Sequence, residues 1–261
     1  MKFLLFLFTL AAVLPVSASA ATIRIITPYI GTLASEYSGN GISLKDTGEM
    51  DGLYAQWINT DKFQANGFYY RAPDVSYSLI SGMHLNFDYY IKPSKSGKYV
   101  VGAGFEDINI DMSAGTHIAG LNSFDMNNDV RFYFLRAGRY FYYKTGALDA
   151  SLLPYAGYAH EAISGDIHMD VAGPPPPMTV DISDTDNHPL AGINLELTFA
   201  HFISVQGKWM GRFKKHETLN DYSLMANLFL TRHWGLSYRY KYMEYGSSSD
   251  RYNLAGLTYC F

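Results

Sequence analysis

The sequence predicts an all-β protein: one antiparallel, up-and-down transmembrane β-barrel, with 12 strands as the preferred count and 10 as the alternative. Three observations carry this. Near the C-terminus Trp234, Leu236, Tyr238, Tyr240 and Tyr242 share one parity, while Gly235, Ser237, Arg239 and Lys241 share the other. That is the period of a strand with two unlike faces, and an aromatic face opposed to a charged one fits lipid outside and water inside. Next, no apolar run beyond the first 20 residues is long enough to cross a bilayer as a helix. Finally, the chain is 48% hydrophobic with 22 Tyr and 16 Phe, a composition that suits lipid-facing strands better than an ordinary soluble enzyme.

The N-terminus has Lys2, an apolar core from Phe3 to Leu14, and the small residues Ala18, Ser19 and Ala20. This is the pattern of a cleaved signal peptide over 1–20, with residues 21–261 forming the single barrel domain. Residue 21 is alanine, which argues against a lipoprotein. Lys2 is the only charge in 1–20, so the exported chain carries 19 basic against 24 acidic residues, one unit more negative than the −4 of the whole. Nothing in that balance points to nucleic acid. The lone Cys260 cannot form an internal disulfide, and its parity places it on an inner face.

Taken in order, 22–33 reads as a first strand, weakened by Pro28, and 35–50 as a polar surface loop. Strands follow at 51–59 and 62–71 around a turn at Asn59 to Asp61. Over 77–91, Tyr77, Leu79, Ser81, Met83, Leu85, Phe87, Tyr89 and Ile91 form the lipid parity, against His84, Asn86 and Asp88 inside. A strand at 98–112 precedes a long loop at 113–129. In 130–143, Phe132 and Phe134 are expected to face lipid, which would place Arg136 in hydrocarbon unless a bulge near Gly138 intervenes or Arg136 lies close to an interface. A strand at 151–164 leads into 165–188, a projecting hairpin with a polyproline tip at Pro174 to Pro177. Ala191, Ile193, Leu195, Leu197 and Phe199 then face lipid, as do Val205, Gly207, Trp209, Gly211 and Phe213 on the next strand. Leu224, Ala226, Leu228 and Leu230 do so on the following one, and two strands complete the count. With 12 strands the long loops all fall on one side and the short turns on the other.

The last strand ends with Gly256, Tyr259 and a terminal Phe261. This resembles the C-terminal insertion signal of Gram-negative bacterial outer-membrane β-barrel proteins, with Leu254 standing where that pattern usually has a polar residue. The resemblance concerns architecture over 21–261. It implies an outer-membrane location, lipid and lipopolysaccharide as surroundings, and handling by the barrel-assembly machinery. Trp57, Trp209, Trp234 and Tyr245 fit the aromatic girdles of such barrels.

Strand parity places the charges Lys208, Arg212, Arg239, Lys241, Glu196 and Asp88 in the lumen, with Glu106 nearby. Opposed charges of this kind can form a selectivity constriction, and the expected function is a narrow passive, porin-like pore for small solutes. The same residues could instead pair and plug the barrel, leaving a structural or adhesion role to the outer loops. An outer-membrane hydrolase is the weaker alternative. Barrel phospholipases and lipid A deacylases carry His and Ser two residues apart on a strand, and none of the eight His residues here has Ser two positions later. Omptin-type proteases use rim carboxylates and His, echoed by His168, Asp170, Asp181, Asp184 and Asp186. Solvated acidic loops, or a calcium site, account for the same cluster. No enzyme activity, cofactor or resident metal is expected.

Overall fold

A computed structural model describes residues 22–39, 42–75, 78–94, 97–114, 121–171, 176–200, 202–245 and 248–261. The described chain is twelve strands: β1 (Thr22–Gly39), β2 (Ile42–Asn59), β3 (Phe63–Val75), β4 (Ser78–Ser94), β5 (Gly97–Ala114) and β6 (Leu121–Thr145), then β7 (Leu148–Val171), β8 (Met178–Phe199), β9 (Ile203–Phe213), β10 (Thr218–Phe229), β11 (Trp234–Tyr245) and β12 (Ser248–Cys260). Each pairs antiparallel with its sequence neighbours, and β1 closes on β12. Closure leaves no strand edge unpaired, the condition for a sheet in hydrocarbon. The proposed leader, Tyr77, Pro174 and Pro175 lie outside the described residues.

The outward parity is the expected one on β4, β8, β10, β11 and β12. Leu79, Phe87, Tyr89 and Ile91 are exposed, as are Ile193, Leu195, Leu197, Phe199, Leu224, Leu228, Trp234, Leu236, Tyr238 and Leu257. Such a belt is unfavourable in water and favourable in lipid.

Two expectations change. The stretches read as loops at 35–50 and 113–129 are largely strand: β1 and β2 stay in register up to Gly39↔Ile42, and β5 pairs with β6 up to Ala114↔Phe124. Above a membrane both faces of a hairpin meet water, so the hydrophobic alternation that marks a strand disappears while the backbone still gains by pairing. The second change concerns β6. Phe132, Phe134 and Arg136 all point inward, at 4%, 5% and 6% exposure, and Leu135 points outward at 67%. No bulge is needed at Gly138, which pairs regularly with Val100 and Tyr155. The lipid-facing residues of β6 are Tyr133, Leu135 and Ala137, bounded by outward Arg131 and Arg139. Arg139 lies against the Tyr99 and Phe141 rings, and Arg131 pairs with Asp107 and Asp129, as expected at two interfaces.

The strands differ in length. β9 to β12 run 11 to 13 residues, near the 9–11 or so a bilayer needs. β6, β7 and β8 run 25, 24 and 22, so about ten residues of each, roughly 30 Å along the strand, stand beyond the membrane.

Candidate functional site

The inward side chains fill the lumen. One apolar cluster, including Tyr29, Tyr54, Phe68, Tyr70, Tyr252 and Leu254, gathers on the β1–β3 and β12 side. Phe68, Tyr70 and Tyr252 pack ring against ring at 5.5 to 5.9 Å between centroids. A second cluster, with Tyr90, Phe132, Phe134, Tyr140 and Tyr155, gathers toward β5–β8. The inward Leu254, 1% exposed, belongs to the first cluster, so an apolar residue at that position serves the lumen packing.

A polar seam of ion pairs completes the filling. Asp88 on β4 and Arg136 on β6 are two strands apart and meet above Gly102 of β5, whose register partners they are. Arg136 Nη2 donates to both carboxylate oxygens at 2.9 and 2.8 Å, and Nε adds a third bond at 3.1 Å. A Cβ at Gly102 would collide with Asp88 Oδ1. The missing side chain is therefore what lets the two charges reach each other. In the adjoining row Gly104 leaves room for the Phe134 ring.

Lys241 on β11 donates to Glu106 on β5 at 2.6 Å, and His84 Nδ1 lies 3.7 Å from the other Glu106 oxygen. Toward the outer end Arg212 bonds Glu161 at 3.3 Å and Asp221 at 3.2 Å, and Lys214 bonds Glu161 at 3.0 Å. At the opposite end Lys98 sits 3.3 Å above the Tyr90 ring and donates to the Thr60 carbonyl at 2.8 Å. Arg239 stacks on Phe68 at 4.2 Å and on Tyr54 at 5.2 Å. Lys208 and Glu196 share the wall of a small polar cavity of about 20 Å³.

The six charges named from parity are thus all on inner faces, and three of them have partners that the parity did not identify. Asp88 and Arg136 form one pair, Lys241 and Glu106 another, and Arg212 bridges Glu161 and Asp221, whereas Glu196, Lys208 and Arg239 are in no ion pair within 4 Å among the described residues. Arg136, Glu161 and Asp221 are the additions. For Arg136 the available signal was the charge itself, because a guanidinium excludes the lipid face more strongly than two phenylalanines demand it.

At the C-terminus, Phe261 is exposed and its N–H donates to the Arg24 carbonyl at 3.0 Å. Tyr259 packs on Trp234 and Phe261, with centroids 4.7 and 4.9 Å apart. Cys260 is a free, half-buried thiol.

Beyond the membrane, β6 to β8 form an acidic sheet bearing Asp125, Asp129, Asp166, Asp170, Asp181, Asp184 and Asp186. The rim residues of the sequence reading are spread along two strands. His168 bonds the Thr179 hydroxyl at 3.0 Å, and Asp186 lies 3.5 Å from the buried His188. No group of three metal-ligating side chains occurs among the described residues.

Neither a family model nor a curated protein sequence matches the chain. Solved structures do. The translocator domain of the autotransporter NalP from Neisseria meningitidis aligns with a TM-score of 0.61 at 11% identity, over 99% of this chain and 94% of that one. The β domain of the Bordetella autotransporter BrkA gives 0.48 at 17% identity, over 92% and 100%. The KdgM porin in complex with disordered oligogalacturonate gives 0.43 at 11%, over 92% and 99%. At these identities the NalP likeness speaks to architecture: like that translocator domain, this chain is a closed antiparallel β-barrel, here of twelve strands.

Proposed function

We propose that this barrel works through its outer face: a closed-lumen barrel that holds an acidic β-sheet above the outer membrane for surface recognition of a cationic partner. The observation that carries this is the contrast between the two ends of the same strands. Within the membrane β5–β8 close on a packed, ion-paired interior. Beyond it β6–β8 continue in register for about ten residues, with seven aspartates against one nearby arginine, Arg131. A sheet of that net charge attracts cations and steers their approach.

A narrow small-solute pore is the second reading. It is favoured by two polar lumen cavities of about 70 and 20 Å³ that share Lys208 in their walls. Conduction on that reading requires the Glu106–Lys241 pair to part.

Planar-bilayer recording of the refolded chain, residues 21–261, separates the two. The recognition reading expects no steady conductance. It also expects cells carrying the barrel to bind a fluorescent lysine-rich peptide, and to lose that binding when 166–182 is replaced by a two-residue turn. Steady unitary currents from the unmodified barrel, together with peptide binding that survives the shortening, would overturn it in favour of the pore.

A further inference from the structure

Midway along the lumen lies a cavity of about 70 Å³ whose wall includes His84, Arg136, Lys208, Ser223, Arg239 and Lys241. Its charges do not balance. Arg136 is matched by Asp88 and Lys241 by Glu106. Asp221, the remaining carboxylate on the wall, is engaged by Arg212. Lys208 and Arg239 have no carboxylate within 4 Å among the described residues. Glu196, which pairs in register with Gln206 and so lies diagonal to Lys208, is beyond that distance. The Phe68 ring under Arg239 orients the guanidinium and attracts it but carries no countercharge. Arg239 Nη1 is buried with no hydrogen-bond acceptor.

Two half-buried cations lining one part-open cavity repel each other and pay part of their desolvation without return. A protein rids itself of such an arrangement or fills it with an anion. The space suits the second: about 10–15 Å³ of such volume is enough for one water, so a cavity of about 70 Å³ admits a small anion together with part of its hydration shell.

We propose that this cavity is a binding site for a single small inorganic anion of halide size, held between Lys208 and Arg239 with the Ser223 hydroxyl as a further donor. The ion offsets one of the two unmatched positive charges and screens their mutual repulsion. The site is independent of the recognition role, because it lies inside the filled lumen.

The test uses the refolded chain 21–261 crystallised from sodium bromide, with anomalous diffraction at the bromine edge. The expected result is one bromide peak in the cavity, together with a higher unfolding midpoint in sodium chloride than in sodium gluconate at equal ionic strength. In Lys208→Gln/Arg239→Gln both the peak and the chloride-specific shift should be lost. A wild-type crystal with no bromide in the cavity overturns the proposal, and that measurement stands even if the double variant fails to fold. Retention of the peak and the shift in a folded double variant overturns it equally.

Discussion

Glu106 and Lys241 stand on strands six apart in a ring of twelve, so their 2.6 Å ion pair is a chord across the full width of the barrel. Neither strand touches the other through its backbone. The pair braces opposite walls and is nearly excluded from solvent, with side chains 10% and 9% exposed.

Breaking such a pair from one side strands the other charge. Glu106→Gln should therefore destabilise the refolded barrel by about 3–5 kcal/mol, read as a fall in the urea midpoint. Glu106→Gln/Lys241→Met should recover most of the loss, since an apolar replacement of both members leaves no orphan charge. A single variant that unfolds at the wild-type midpoint would mean that water screens the pair.

The meeting of Asp88 and Arg136 above Gly102 predicts a position-specific effect of one methyl group. Gly102→Ala puts a Cβ into Asp88 Oδ1 and within 3.1 Å of Arg136 Nε, and should cost about 1–3 kcal/mol, the usual range for overpacking. Gly207→Ala is the control: nothing lies within 4 Å of a Cβ there, and it should change stability by less than about 0.5 kcal/mol. Equal effects at the two sites would contradict the inward placement of Gly102.

The β6 faces can be tested by contrast with a natural arginine. Leu135 is 67% exposed, midway between the outward Arg131 and Arg139. Leu135→Arg should cost roughly 2–4 kcal/mol of folding free energy in lipid vesicles, although its neighbour Arg136 is already an arginine. If Leu135→Arg folds as well as wild type, the two faces have been exchanged.

That strand also marks how far the sequence can be read. The closed 12-stranded architecture was legible because most membrane strands put charge on one parity and apolar residues on the other, as in Trp234 to Tyr242. β6 has aromatics on both parities, Tyr133 outside and Phe132 and Phe134 inside, because this lumen is packed with rings rather than filled with water. The pattern is then ambiguous except at Arg136. The pairing of lumen charges was not legible at all. Glu106 and Lys241 are 135 residues apart, and which inner residues meet across a barrel depends on the stagger of every intervening strand pair. The stretches 35–50 and 113–129 were read as loops for a different reason, since water on both faces removes the selection for alternation, whereas 165–188 was legible as a projecting hairpin.

The C-terminal residues raise a prediction in which stability and assembly diverge. Phe261 is 57% exposed to the lipid side and contributes one backbone hydrogen bond, to the Arg24 carbonyl. Its side chain touches Tyr259 alone among the ring contacts of the described residues. Phe261→Ala keeps the backbone bond and loses little packing, so the urea midpoint of the refolded protein should move by no more than about 1 kcal/mol. If Gly256, Tyr259 and Phe261 are read by assembly machinery as the resemblance implies, the same change should lower the amount of heat-modifiable barrel recovered from outer membranes several-fold. Unchanged recovery in cells would assign Phe261 to lipid anchoring alone. A matching loss of stability in vitro would instead make it part of the barrel's closure between β1 and β12.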